Sequence, residues 1–302
     1  MRIGVDIGGT KVEAAAMDRG GTIRLRRRVM TPDGYQALVA CVRDLVLGIE
    51  GELGGRARVG IGMPGTLSPA TGLVKNSNST ALNGMKFDRD LEAALGRRLR
   101  FANDANCFAL SEACDGAGAG LGTVFGVILG TGVGGGVVVG QRVLAGVNAI
   151  AGEWGHNPLP WPRDDERPGP RCYCGRFGCI ESFLSGPALA RDHAQSGGDR
   201  LEAAAIAARA EAGDREAEAS LARYEERLAR ALATVVNLLD PDAIVLGGGV
   251  GQIQRLYRNV PRLWGPWVFS DTVVTRLLPP KWGDASGVRG AAWLWRPDEA
   301  PA

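Results

Sequence analysis

The chain has 302 residues, 45% of them hydrophobic and 23% charged, the composition of a folded globular protein long enough for two domains. Its 35 basic and 33 acidic residues leave a net charge of +2, which supplies no basic field for nucleic acid or an acidic membrane surface. No apolar run reaches the roughly 18 residues of a membrane helix. Met1 to Asp6 lacks the regions of a secretory leader, so the expected compartment is the reducing cytoplasm.

The spacing predicts a buried strand over residues 2–7, a Gly8-Gly9-Thr10 turn, and further strands over 12–17 and 22–29. Thr31-Pro32-Asp33 reads as a helix start, and Leu38, Val42, Val46 and Ile49 follow at helical period. A strand over 58–63 ends at Pro64-Gly65. Asp88 reads as the cap of a helix that stops at Gly96, and a strand over 98–102 runs into Asn103-Asp104-Ala105-Asn106 and a helix to Cys114. The opening pattern then recurs: strand 123–129, a Gly130-Thr131-Gly132 turn, and strand 135–139. A loop-rich segment over 153–176 precedes a long helix over 216–239 that Asp240-Pro241 stops. A strand over 243–246 ends in Gly247-Gly248-Gly249, and 287–295 reads as a last helix. Alternating strands and helices define an α/β class, whose ligands gather beyond the carboxyl ends of the strands.

Three groups of residues carry chemistry. Asp6, at a strand end beside Gly8-Gly9-Thr10-Lys11, suits a magnesium-bound phosphate: the glycines let backbone N–H groups approach an anion. Each glycine turn alone is equally an ordinary hairpin; with Gly130-Thr131-Gly132 and Gly247-Gly248 they suggest a nucleotide site. Asp104, where a strand meets a helix, suits either an N-cap or a general base kept ionised by the helix N-terminus. Cys172, Cys174 and Cys179 with His156 offer three thiolates and one imidazole, the donor set of a closed structural zinc site; three reduced surface cysteines are the plainer alternative. Glu153 and Glu181 flank His156 with acceptors for a polyhydroxy ligand, or are solvated loop charges.

At these motifs the sequence resembles the ROK family of sugar kinases, a branch of the actin-like ATPases. The matching stretches are Asp6-x-Gly-Gly-Thr-Lys11, Gly62-x-Pro-Gly65, Asn103-Asp-Ala-Asn106, Gly130-Thr-Gly132, Glu153-Trp-Gly-His156, Cys172-x-Cys-Gly-x-x-Gly-Cys179-x-Glu181 and the turn at Gly247. The resemblance implies a two-domain actin-like (ribonuclease H-like) α/β fold: residues 1–118 completed by a C-terminal helix over 287–302, and 119–286 with a zinc-stapled loop. It implies Asp104 as general base, with Asn103, Glu153, His156 and Glu181 on the sugar and Gly65, Asn78 and Ser79 lining the same pocket. It implies ATP held through Asp6, Gly8, Gly9, Thr10, Lys11, Gly130, Thr131 and Gly132, with Gly247 and Gly248 near the adenosine. Mg²⁺, a structural Zn²⁺ on His156, Cys172, Cys174 and Cys179, a hexose substrate and a homodimer complete the expectation, with no nucleic-acid or membrane partner. A sugar-responsive repressor, also found in this family, would need a helix-turn-helix ahead of the first strand, which begins at residue 2. Lys75-Asn-Ser-Asn-Ser-Thr80, His156-Asn-Pro-Leu-Pro-Trp161 and the stretch Asp284 to Trp295 look most like the bacterial fructokinase subgroup, so the expected reaction is fructose to fructose 6-phosphate. Kinases for mannose, glucose or N-acetylglucosamine are the alternative.

Overall fold

The structure is a computed structural model that describes residues 1–297 and 299. In chain order its strands and helices are β1 (Arg2–Ile7), β2 (Lys11–Met17), β3 (Ile23–Met30), α1 (Tyr35–Leu53), β4 (Arg58–Met63), β5 (Thr66–Leu67), β6 (Val74–Lys75), α2 (Phe87–Leu95), β7 (Arg100–Asn103), α3 (Asp104–Cys114) and β8 (Thr123–Leu129). They continue with β9 (Val133–Val139), β10 (Arg142–Val143), α4 (Glu181–Leu184), α5 (Gly186–Gln195), α6 (Ala203–Glu211), α7 (Arg215–Leu239), β11 (Ala243–Gly247), α8 (Leu256–Leu263), β12 (Arg276–Leu278) and α9 (Ser286–Trp293). Two five-stranded sheets form, ordered β3-β2-β1-β4-β7 and β10-β9-β8-β11-β12. Among the described residues no helix is long and apolar enough to cross a membrane.

The chain divides into two compact units: 1–120 with 136–151 and 282–302, and 121–135 with 152–281. This differs from the expected 1–118 and 119–286 chiefly in residues 136–151, which join the first unit. There the second half of β9 lies so close to α3 that a Cβ on Gly136 would sit 2.7 Å from the Ala105 carbonyl oxygen. The expected terminal helix over 287–302 ends at Trp293, and residues 298 and 300–302 lie outside the described residues.

In the first unit β1, β2 and β3 pair antiparallel, whereas β4 and β7 extend the sheet in parallel from β1. Leu38, Val42, Val46 and Ile49 of α1 recur every three or four residues and are buried with Ile3, Val5 and Ile61. α9 lies against β1 and β4 because Gly4 and Gly60 have no side chain there; a Cβ on either would overlap the helix backbone. Gly290 allows the same intimacy with α3, at the Cys107 carbonyl.

Two predicted helix starts are corrected. Thr31 does not open α1: its N–H donates to the Thr10 carbonyl at 3.0 Å and its hydroxyl to that of Gly8 at 2.8 Å, so it braces the first glycine turn. The chain turns instead at Gly34, whose φ of 87° is left-handed. Asp88 is not the cap of α2 but lies in its first turn, where a negative charge still suits the helix dipole.

In the second unit β11 pairs in parallel with β8 and β12. The long helix α7 buries Leu221, Leu228 and Leu232 completely, and its Tyr224 hydroxyl donates to the Leu184 carbonyl at 2.7 Å. Arg227 and Arg230 reach from α7 to one oxygen of Glu166, at 2.8 and 2.7 Å. Burial alone would raise this carboxyl; the two guanidiniums hold it down to about 2. The loop ahead of the cysteine cluster is thereby pinned to the helix.

Candidate functional site

In the first unit the carboxyl ends of β1 and β7 place Asp6 and Asp104. Asp6 follows four buried residues of β1, and Gly287 leaves room for its carboxylate, where a side chain would collide. Burial, then the charges of Asp104 and Glu13, raise Asp6 to about 7, with Lys11 offsetting part of the effect. The turn beyond it closes through the Gly8 N–H to the Lys11 carbonyl at 2.9 Å, and no atom lies near the Cβ position of Gly9. Such an open backbone flank beside a carboxylate can accept a metal-bound phosphate.

Asp104 is the first residue of α3, but the cap is Asn103, whose Oδ1 accepts from the N–H groups of Ala105 at 2.8 Å and Asn106 at 3.2 Å. The cap is thus separate from the candidate base. Asp104 Oδ1 accepts from Ala105 N–H at 2.8 Å. The helix N-terminus does not dominate its titration as expected: burial raises the Asp104 carboxyl, and the N–H of Ala105 and the Asn103 side chain offset only part of that. A carboxylate made more basic in this way is better suited to taking a proton. Asn103 therefore serves twice, its carbonyl oxygen on the cap and its side chain as a hydrogen-bond partner of Asp104. Gly65 follows β4 and packs on the backbone of Lys75 and Ser77; Asn78 is exposed, and Ser79 is held by the Ser77 hydroxyl at 3.1 Å.

In the second unit the Gly130-Thr131-Gly132 turn closes through the Gly130 N–H to the Gly132 carbonyl at 3.0 Å. Gly247 ends β11, and Gly248, with φ of 80°, passes against the Leu129 backbone at the end of β8. Sequence reasoning missed the third member of this cluster: the N-terminus of α5, capped by the Ser185 hydroxyl, whose Gly186 N–H donates to the Gly130 carbonyl at 2.8 Å. Ser185-Gly186-Pro187, a cap residue and an early proline, was the available signal.

The Glu153-Trp-Gly-His156 spacing has a mechanical basis. Trp154 is buried, stacks edge-on against Phe125 and donates its indole N–H to the Gly134 carbonyl at 3.0 Å. Gly155 presses on Val133, where a Cβ would overlap the carbonyl. With this turn fixed on the start of β9, Glu153 and His156 project from either end. Glu181 is fixed as well: its Oε2 accepts from the Val133 N–H at 2.9 Å, and its Oε1 lies 3.8 Å from the Cys172 sulfur.

The ligand atoms of His156, Cys172, Cys174 and Cys179 all lie within 4.8 Å of one another. His156 turns Nδ1 toward the Cys172 sulfur, 3.6 Å away, and Cys174 and Cys179 are 3.6 Å apart. All six cysteines are free thiols. Burial raises Cys172 and pushes Cys179 up to about 12, whereas the Arg176 backbone N–H lowers Cys174. Four convergent soft donors, two of them buried thiols unfavourable as isolated anions, fit a tetrahedral metal ion.

One further residue escaped the sequence reading. The Tyr173 hydroxyl is 2.9 Å from His156 Nε2, and the two rings meet edge-on. Enclosure of the hydroxyl, then the charges of Glu181, Cys172 and Glu153, raise this phenol to about 12, although the residue is 83% exposed. It therefore sits among the groups expected on the sugar. Its signal was only its place between two cysteines of the cluster.

The ROK family matches residues 2–298. The chain is similar to an N-acetyl-D-glucosamine kinase of Photobacterium profundum, 39% identical over 97% of this chain and 99% of that protein. Its structure is similar to a ROK hexokinase from Thermus thermophilus (31% identity, 97% of each chain, TM-score 0.86). It also resembles a Streptomyces griseus ROK glucokinase in complex with glucose and AMPPNP (29% identity, 98% and 99%, TM-score 0.76). The chain belongs to the ROK family. Within it, the protein is an ATP-dependent sugar kinase with the actin-like fold and a loop whose histidine and cysteines can chelate a metal.

The expectation of a fructokinase is corrected. Relatives 37–39% identical over 97% of the chain are N-acetyl-D-glucosamine kinases. The misleading stretch from Asp284 to Trp295 largely forms α9, packed beneath β1 and β4, and so reports on core packing.

Proposed function

We propose that the protein is an N-acetyl-D-glucosamine kinase, transferring the γ-phosphoryl group of ATP to the primary hydroxyl of the sugar. The observation that carries this reading is the end-to-end similarity to enzymes of that name, 39% over 299 residues in one case. The raised, enclosed Asp104 carboxylate supports its role as base. Asp104 takes the hydroxyl proton, the sugar oxygen bonds to the γ-phosphorus, the bond to the β-phosphate oxygen breaks, and ADP leaves. Glu153, His156 and Glu181 bind the sugar hydroxyls, with Asn103; Gly65, Asn78 and Ser79 line the pocket. The Gly8–Lys11 and Gly130–Gly132 turns bind phosphates, with Gly247 and Gly248 near the nucleoside.

Mg²⁺, when bound, offsets phosphate charge, and the repulsion that Asp6 feels from Asp104 supports a cation nearby. A Cys₃His set fits Zn²⁺, which His156, Cys172, Cys174 and Cys179 would hold and which would staple the loop; His156 turns Nδ1 toward Cys172, so Nε2 would be left for the ligand. Tyr173 holds Nε2 until a sugar hydroxyl takes its place. Tyr173→Phe should therefore change KM for the sugar more than kcat; an unchanged KM excludes that role. Reduced thiols suit a cytoplasmic enzyme, and the family resemblance supports a homodimer, which light scattering checks. The test of the reaction is phosphorus–proton correlation NMR of the product. The proposal requires one ADP per phosphate ester, with the ester on the primary carbon of N-acetylglucosamine; an ester elsewhere, or ADP without ester, overturns it.

A further inference from the structure

A cavity of about 510 Å³ opens in the first unit at the end of the sheet opposite Asp6 and Asp104. It is lined where β1 and β4 begin and by residues just ahead of β7, one strand length of about 15–20 Å from the carboxylates. Ligands of such sheets ordinarily gather at the other end, so this cavity is not part of the kinase site. Seven of its thirteen lining residues are arginines, and Glu299 is the one acid among them.

Among the described residues, the carboxylates nearby offset that charge only in part. Glu50 is engaged by Arg97 through two bonds, at 2.6 and 2.9 Å. The Glu299 carboxylate is engaged by Arg100 at 2.7 Å, whose guanidinium carbon lies over the Trp295 ring, 4.0 Å from its centre. Arg2 is 3% exposed, yet its N–H groups go to neutral acceptors, the carbonyls of Asp18 at 2.7 Å and Trp295 at 3.2 Å. Burial consequently depresses its guanidinium. Arg58 likewise donates to the carbonyls of Arg296 and Glu299. Arg19, Arg56 and Arg98 are exposed residues of the lining and make no ion pair among the described residues. Five guanidiniums therefore share one concavity with no ion pair to a described carboxylate, some fixed in place by carbonyl bonds.

From this geometry we infer that the cavity is a binding site for a small phosphate anion, distinct from the ATP turns. Guanidiniums bind phosphate oxygens in pairs, and fixed ones lose little freedom in doing so. The volume lies in the range of small-ligand pockets, roughly 300–1,000 Å³. An anion there would relieve the repulsion among the arginines and the cost of burying Arg2. The two sources of this chemistry are an inorganic phosphoanhydride and a phosphorylated sugar.

The test is calorimetric titration of the full-length protein, saturated with AMPPNP and N-acetylglucosamine so that the kinase phosphate sites are filled. Inorganic pyrophosphate and N-acetylglucosamine 6-phosphate are the two probes, in about 0.15 M salt. One saturable site per chain is expected for at least one probe, weakened at least tenfold in Arg56→Gln/Arg98→Gln while AMPPNP affinity is unchanged. Tighter binding of pyrophosphate identifies the inorganic source, and tighter binding of the ester the sugar source. No saturable binding of either probe, equal binding to the variant, or the same heat from chloride at matched ionic strength overturns the inference. Both exchanged side chains are exposed, so the variant should fold, as an unchanged melting temperature would verify. The readout needs no turnover, so it stands or falls apart from the kinase reading.

Discussion

Asp104→Asn separates the chemical role of this residue from its structural one. The amide keeps an oxygen for the Ala105 N–H, and the cap of α3 is Asn103, so the helix start should survive. Removing the negative charge also removes the second-largest cause that raises Asp6, so the variant should be as stable as the parent or more so. Loss of a general base costs about 10²–10⁴-fold in turnover, or roughly 3–5 kcal/mol of barrier. Sugar affinity should change little, because the proposed sugar contacts remain. Coupled ADP-release kinetics with urea unfolding on the same sample measure both sides. Turnover within fivefold of the parent would refute the base assignment. A large loss of stability would show that Asp104 serves mainly to hold α3.

Three further outcomes are expected. Cys174→Ser should lose most bound zinc by metal analysis and expose the Glu153–Glu181 segment to proteolysis; parent protein lacking zinc would contradict the metal assignment. The Asp6 carboxyl titrates near 7 when folded against about 4 unfolded, so the folded state favours its protonated form. Its contribution, on the order of 4 kcal/mol, is full below pH ~4 and lost as pH rises through 7. Asp6→Asn should therefore gain stability relative to the parent between pH 5 and 8; parallel pH profiles would show that Asp6 is not buried this way. Gly60→Ala forces a methyl into the Ala291 carbonyl of α9 and should cost about 1–3 kcal/mol in urea unfolding, whereas Gly55→Ala, whose Cβ position is open, should not.

Sequence reasoning reached furthest where local chemistry and periodicity coincide. The two strand–glycine turn–strand units were legible because both the period of the strands and the glycines lie within a few residues, and the cysteine cluster because its ligands are close in sequence. Thr31 misled because its hydroxyl bonds to a carbonyl 23 positions away, which no local pattern reveals. Asp104 was ambiguous between cap and base until the structure showed that Asn103 performs the capping. Glu181 reads as a sugar contact or a solvated loop charge, and no local pattern shows its bond to Val133, which ties the cysteine loop to the glycine turn. The arginine cavity was invisible because its residues come from the beginnings of separate strands and the chain's end. Sugar identity was misread in part because one of the three stretches behind it, Asp284 to Trp295, largely forms α9 and records how a helix packs on β1 and β4.

The reading as an N-acetylglucosamine kinase is tested most directly by kcat/KM for N-acetylglucosamine, glucose, mannose and fructose under one set of conditions. The account predicts the highest value for N-acetylglucosamine, with fructose at least tenfold lower. A value for fructose or glucose equal to or above that for N-acetylglucosamine would contradict it.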